Sequence, residues 1–242
     1  MNARRGWIVA AAAFALLLIA ATFPMRLALV LAGAEQAGIS ARAVSGSVWA
    51  GELADARLGK LPLGTVHARL SPLALLAGRV ELAFARADAR LGALTGRLHG
   101  GSRRGLSDVD GTLSLAGGLG MIPVDRVRFE GAAMRFDSAG QCVAASGRAQ
   151  LSIAAPIAGL DLSRGLSGPL ACVDGRAQAA LASQSGMERL TLSFDGSGAW
   201  RARLTIAVDR DPMMAAALSL LGFKPGADGF ALAASGRFQG EP

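Results

Sequence analysis

The feature that most constrains this chain is a side-chain period of two, which recurs from residue 40 almost to the C-terminus. Trp200, Ala202, Leu204, Ile206 and Val208 alternate with Arg201, Arg203, Thr205, Ala207 and Asp209. Leu190, Leu192 and Phe194 alternate with Arg189, Thr191, Ser193 and Asp195, and Val80, Leu82 and Phe84 with Arg79, Glu81 and Ala83. Val127 and Phe129 alternate with Arg126, Arg128 and Glu130. Successive strand side chains point to opposite faces, so this pattern predicts an antiparallel sheet with one buried face and one wet face. Glycines recur between these runs, among them Gly46, Gly51, Gly59, Gly64, Gly78, Gly96, Gly111, Gly131, Gly147, Gly175, Gly196 and Gly236, and are read as turns in a meander of short strands. Parallel α/β folds need long helices between strands, and no such segments are present. The fold class is therefore mainly β.

Two short stretches carry helix grammar instead. Ser71-Pro72-Leu73-Ala74-Leu75-Leu76-Ala77-Gly78 has a capping serine, proline at the first helical position and a closing glycine. Asp211-Pro212 through Leu221-Gly222 repeats that order with Asp211 as the cap, and its apolar face is expected against the sheet. No Pro/Ser-rich linker divides the chain, so residues 41–242 form one β-rich domain.

The N-terminus is different in kind. After a stub at residues 1–6, the chain is uncharged from Trp7 to Met25. As a helix that run spans about 28 Å, close to the hydrocarbon thickness of a bilayer. Ile8, Val9, Phe14, Leu16, Leu17, Leu18, Ile19 and Phe23 together favour insertion by about 2.5–5 kcal/mol. Residues 7–25 are therefore expected to be a single transmembrane helix, with Trp7 near one end and residues 26–40 as the connector to the domain. Arg4 and Arg5 outweigh Arg26, which places the N-terminus in the cytoplasm and the β-domain in the periplasm. The competing reading is a cleaved signal peptide ending at Ala32-Gly33-Ala34.

Charge and cysteine usage then exclude several classes. The net charge of +7 suggests nucleic acid, but Arg4, Arg5 and Arg26 supply three of those charges. The other arginines are interleaved with acids, and the basic pair Arg103-Arg104 has no aromatic neighbours on which bases could stack. No nucleic-acid partner is expected. Two cysteines and two histidines are too few for a zinc-finger array or an iron–sulfur ferredoxin, and neither metal nor cofactor is expected. In an oxidising compartment Cys142 and Cys172 suggest a disulfide, the alternative being two buried free thiols. The chain has no Gly-x-Ser-x-Gly elbow, phosphate loop or His-Glu-x-x-His, and His67 and His99 lie in strand-like contexts. Asp110-Gly111, Asp174-Gly175, Asp195-Gly196 and Asp228-Gly229 read as turn pairs before acid–base groups. No enzyme activity is expected.

Three segments carry a resemblance. Val44-Ser45-Gly46-Ser47-Val48-Trp49-Ala50-Gly51, then Leu63-Gly64-Thr65-Val66, then Leu70-Ser71-Pro72-Leu73-Ala74-Leu75-Leu76-Ala77-Gly78, resemble the type II secretion system protein N family. Gly168-Pro169-Leu170-Ala171-Cys172-Val173-Asp174-Gly175 looks like that family's C-terminal half. Ser47-Val48 stands where Thr-Leu is usual, and Ala50 where Ser is usual. The resemblance implies an accessory inner-membrane component of the apparatus that exports folded proteins through an outer-membrane secretin. Its partners would be other secretion components, such as the secretin or inner-membrane platform proteins. It implies no catalytic residues, and Trp49 is expected to be a core anchor of the first strands rather than a partner contact. The alternative function is an AsmA-like lipid-binding or lipid-transfer protein, in which an apolar sheet face forms an open groove for lipid. A periplasmic hydrolase is the third reading, since fold does not fix function.

Overall fold

The computed structural model describes residues 2–59, 61–102, 104–115, 119–153, 164–208 and 212–237, with the side chains of residues 2–6 and 9 excepted. Arg103, Asp209, Arg210 and Asp211, the last of these the expected helix cap, lie outside the described residues, as do the side chains of Arg4 and Arg5.

Two helices open the chain, α1 (Asn2–Ala21) and α2 (Met25–Leu31). The strands that follow are β1 (Ile39–Ser40), β2 (Ala43–Ser47), β3 (Ala50–Leu58) and β4 (Leu61–Leu70). After α3 (Pro72–Leu76) come β5 (Val80–Asp88), β6 (Gly92–Gly100), β7 (Arg104–Ser114), β8 (Val124–Phe136) and β9 (Cys142–Ile153). β10 (Leu166–Val173), β11 (Arg176–Ala182), β12 (Glu188–Phe194) and β13 (Ala199–Ile206) lead to α4 (Pro212–Leu220), β14 (Lys224–Gly226) and β15 (Gly229–Arg237). All the strands belong to one antiparallel sheet, ordered β1-β3-β4-β5-β6-β7-β8-β9-β10-β11-β12-β13-β15-β14, with β2 also on β3. From β3 to β13 each strand pairs with its chain neighbour, so the hairpin turns fall alternately at two ends of the sheet.

The period of two sets which face is buried. Leu190 faces Leu204, Leu192 faces Ala202 and Phe194 faces Trp200, while Leu204 also faces Leu232 across β15. Leu151, Leu166, Leu190 and Leu204 are fully buried, whereas Gln150, Ser167, Arg189 and Arg203, each next to one of them in the chain, are exposed. Two further pieces cover this apolar face. The connection from β7 to β8 folds back over the sheet, burying Leu119 and Ile122 and setting Gly120 against Ala234 and the Trp200 ring. α4 adds Leu218, also fully buried. A side chain with apolar neighbours on every side contributes about 1.5–3 kcal/mol, so this filled face is the main source of stability.

The structure differs from the sequence reading in two respects. The apolar run from Trp7 to Met25 is not one helix. α1 ends at Ala21, and Met25 begins α2, a third short helix beside the two expected. Proline at residue 24 lacks the N–H that would continue the ladder of α1, which is why the chain restarts there. Gly46, Gly51, Gly64, Gly96, Gly111, Gly131, Gly147 and Gly236 lie inside β2, β3, β4, β6, β7, β8, β9 and β15 rather than in turns. At Gly147 a Cβ would stand 2.6 Å from Ala132 Cα, so glycine permits close approach of two strands where their register shifts. Asp110, paired with Gly111 in that turn reading, instead accepts the Gly131 N–H at 2.8 Å.

Candidate interaction site

The Val44–Gly51 motif builds the joint between the N-terminal helices and the sheet. β2 and β3 form a tight hairpin through Val48 and Trp49, and α2 lies against it. Met25, 3% exposed, packs with Val48, Leu53, Ala56 and Ala68, and Phe23, Val44 and Trp49 border that cluster. A Cβ on Gly51 would meet Met25 Cγ at 2.8 Å, so this glycine makes room for the methionine. Gly46 has φ +80°, and a Cβ there would meet Ala50 O at 2.3 Å, so both conformation and space require glycine. Ser45, just before Gly46, is exposed.

Three polar contacts tie the joint together. The Trp49 indole Nε1–H donates at 2.8 Å to Ala20 O, a carbonyl at the end of α1 that otherwise accepts only a long 3.4 Å bond from the Phe23 N–H. The Val48 N–H donates to Phe23 O at 3.0 Å, and the Leu70 N–H donates to Val48 O at 2.9 Å. Trp49 is therefore half-buried and acts as a clasp between helix and sheet, rather than sitting inside the main core.

Directly after Leu70 comes α3. Ser71 Oγ accepts the Ala74 N–H at 3.3 Å, Pro72 occupies the first turn, and Gly78 leaves the helix with φ +68°. Only Ala74 of this helix is buried; Leu73 and Leu76 are 77% and 86% exposed. On α1, Trp7, Leu16, Leu17, Leu18 and Ile19 are all at least half exposed. Phe23 has left that helix and packs in the joint. Arg26 is exposed on α2. Among the described residues no helix is long and apolar enough to cross a membrane.

A model of the type II secretion system protein N family matches residues 37–233. The chain belongs to that family. No curated protein and no solved structure matches it. The type II secretion protein N match begins just before β1 and ends within β15, so it takes in the joint hairpin, α3 and both cysteines. Membership makes the chain a component of type II secretion, associated with other components of that apparatus.

The family's C-terminal segment is a second built feature. Cys142 and Cys172 form a disulfide, with Cα atoms 5.6 Å apart. The β9–β10 register runs from Leu166↔Leu151 to Pro169↔Arg148 and stops where proline has no N–H to give. Beyond it the disulfide joins the two strands, and the Cys142 N–H donates to Gly175 O at 2.8 Å in the following Asp174-Gly175 turn. Nearby, Arg176 pairs with Asp195 at 2.6 Å and also donates to Ala199 O at 2.9 Å. Burial pushes the Asp195 carboxyl up, but hydrogen bonds from Ser197 and Ala199 and the Arg176 charge outweigh it, and its pKa lies below the usual value.

Sequence reasoning missed Arg86, which is 2% exposed. Its guanidinium donates to four backbone carbonyls: Gly92 O at 3.1 Å, Leu63 O at 3.1 Å, Leu91 O at 3.0 Å, and Thr112 O. These acceptors come from β4, the β5–β6 hairpin and β7, so one side chain fastens neighbouring strands. Desolvation lowers the Arg86 pKa, with the Asp88 charge opposing. A signal was available: Arg86 continues the apolar parity of Leu82 and Phe84, so the alternation already placed it on the inner face.

The two histidines occupy the outer, polar face. His67 Nδ1 lies 3.6 Å from Glu52, and His99 Nε2 lies 2.8 Å from Ser107 Oγ. The carboxylate that would orient His99 as a base, Glu81, is 4.0 Å away, beyond hydrogen-bond reach, and Arg97 holds its other oxygen at 3.8 Å. Among the described residues no group of three or more His, Cys, Asp or Glu is placed to hold a metal ion.

Proposed function

We propose that the chain is a non-enzymatic scaffold of the type II secretion apparatus, anchored in the inner membrane by α1 with its sheet in the periplasm. The observation that carries this reading is the joint: an antiparallel β-sheet begins on a hairpin that clasps the end of an apolar helix whose described side chains are exposed. A helix that is apolar all round needs a non-aqueous surrounding, and lipid is one. Arg4 and Arg5 at its start favour a cytoplasmic N-terminus, and the Cys142–Cys172 disulfide suits an oxidising compartment.

The lipid-transfer alternative needs an open apolar groove. The segment around Ile122 and α4 instead fill the inner face of the C-terminal strands, which favours a scaffold whose edges and loops meet other secretion proteins. The test is residue-specific crosslinking in secreting cells, with probes on the outer-face residues Arg97 and Arg201 and a null strain scored for export. Crosslinks to the secretin or to inner-membrane platform proteins are expected. Copurification of stoichiometric lipid with no such crosslinks would replace this reading with the transfer one.

A further inference from the structure

We propose that α3 is a membrane-surface foot, its Leu73 and Leu76 lying at the headgroup–acyl boundary of the bilayer that α1 enters. The proposal rests on the reading of α1 as the anchor.

Four observations converge on α3. First, its place is fixed by the joint. Val48 accepts from Leu70 and donates to Phe23, and the next side chain, Trp49, donates to Ala20 at the end of α1. α3 starts two residues after Leu70, so it stands at the end of the sheet from which α1 departs. Second, α3 is not built to pack on the protein. It buries Ala74 alone, while Leu73 and Leu76 are the most exposed leucines on any element between β1 and β13. Five residues extend only about 7.5 Å, so the helix can lie in an interface but cannot cross one.

Third, two further apolar side chains are exposed on nearby strands: Val80, 46% exposed, on β5, which packs against α3, and Leu98, 39% exposed, on β6, the strand paired with β5. Fourth, its border is cationic. Arg79 lies three residues after the helix and Arg26 lies on α2, which packs on the joint hairpin, and both are exposed. Arginine beside apolar surface suits anionic headgroups, and an indole such as Trp49 is the side chain enriched at membrane–water interfaces. A protein partner could also cover two leucines. The adjacency to the helix that enters the bilayer, together with the arginine–indole border, favours lipid.

Anchor and foot together would hold the sheet at two points and restrict its rotation about α1. The test uses the full-length protein in nanodiscs containing anionic phosphatidylglycerol and phosphatidylcholine, with bimane on one introduced thiol. Leu76→Cys reports the foot, Phe14→Cys reports α1, and Gln184→Cys, at the opposite end of the sheet, is the aqueous control. The native cysteines are paired and do not label. Leu76 and Phe14 are exposed, so neither change disturbs packing. Brominated acyl chains are expected to remove most emission at positions 76 and 14 and to leave position 184 unaffected. Quenching at 14 with position 76 as bright as 184 would overturn the foot while sustaining the anchor. Quenching at neither position would overturn both.

Discussion

The contact between Gly51 and Met25 allows the joint to be tested by its energetics. The φ of Gly51 lies outside the left-handed region, so a side chain there is opposed by space alone. An added Cβ would stand 2.8 Å from Met25 Cγ, 3.1 Å from Met25 Cβ and 3.0 Å from Ser47 O. Gly51→Ala should therefore overpack the joint at a cost of about 1–3 kcal/mol. Met25→Ala removes a side chain that is 3% exposed and should cost about 2–5 kcal/mol. In the double variant the nearest obstacle, Cγ, is gone, while Met25 Cβ and Ser47 O remain. The combined loss should fall short of the sum by about 1 kcal/mol, a size typical of residues in contact. Urea unfolding of the full chain in detergent, followed by far-ultraviolet circular dichroism at constant m-value, measures all three variants. Additivity within about 0.4 kcal/mol would show that Met25 does not rest on Gly51 and would refute the joint as described.

Other perturbations follow from the same structure. Trp49→Phe keeps most of the ring but removes the donor to Ala20 O, and should lower stability by about 1 kcal/mol in the same assay; Trp49→Ala should cost more, though less than the 3–5 kcal/mol typical of a fully buried tryptophan. Arg86→Lys keeps the charge but replaces a planar fork by a point donor that cannot reach four carbonyls, and should cost at least about 2 kcal/mol, read from the urea midpoint. Replacing both Cys142 and Cys172 by Ala opens a loop spanning 30 residues and should cost about 3.5 kcal/mol in the chain-entropy model; two alkylatable thiols in the untreated native protein would contradict the bridge. Because the Asp195 pKa is lowered in the folded state, its stabilisation is complete above the ordinary carboxylate value of 3.8 and disappears as pH falls through the folded value. The stability gap between the wild type and Asp195→Asn should therefore be present at neutral pH and shrink in acid.

The sequence carried the strands because alternation is a local property. Leu190, Leu192 and Phe194 share a face whatever pairs with them, and the meander order then required only that neighbours in the chain pair. α3 was legible for the same reason, since Ser71, Pro72 and Gly78 act within a few residues of one another. What stayed hidden depends on distance along the chain. The period of two says nothing about the β7–β8 connection folding back toward Trp200 and Ala234, nor about Met25 leaving an apolar run to pack over Gly51. Gly111 and Gly147 look like turn residues because the requirement for glycine is the same in a bulge as in a turn. The motif strings of the first strands were visible as strings, but their shared role as the joint needed Ala20 and Met25 brought beside them.

The central claim is a periplasmic sheet held to the inner membrane by α1, and protease access in intact spheroplasts tests it most directly. Added externally, the protease should digest the β-domain while a cytoplasmic marker survives, and the uncleaved chain should stay with the membrane after alkaline carbonate. A β-domain that is protected until the inner membrane is lysed, or a chain that carbonate releases into the supernatant, would contradict the account.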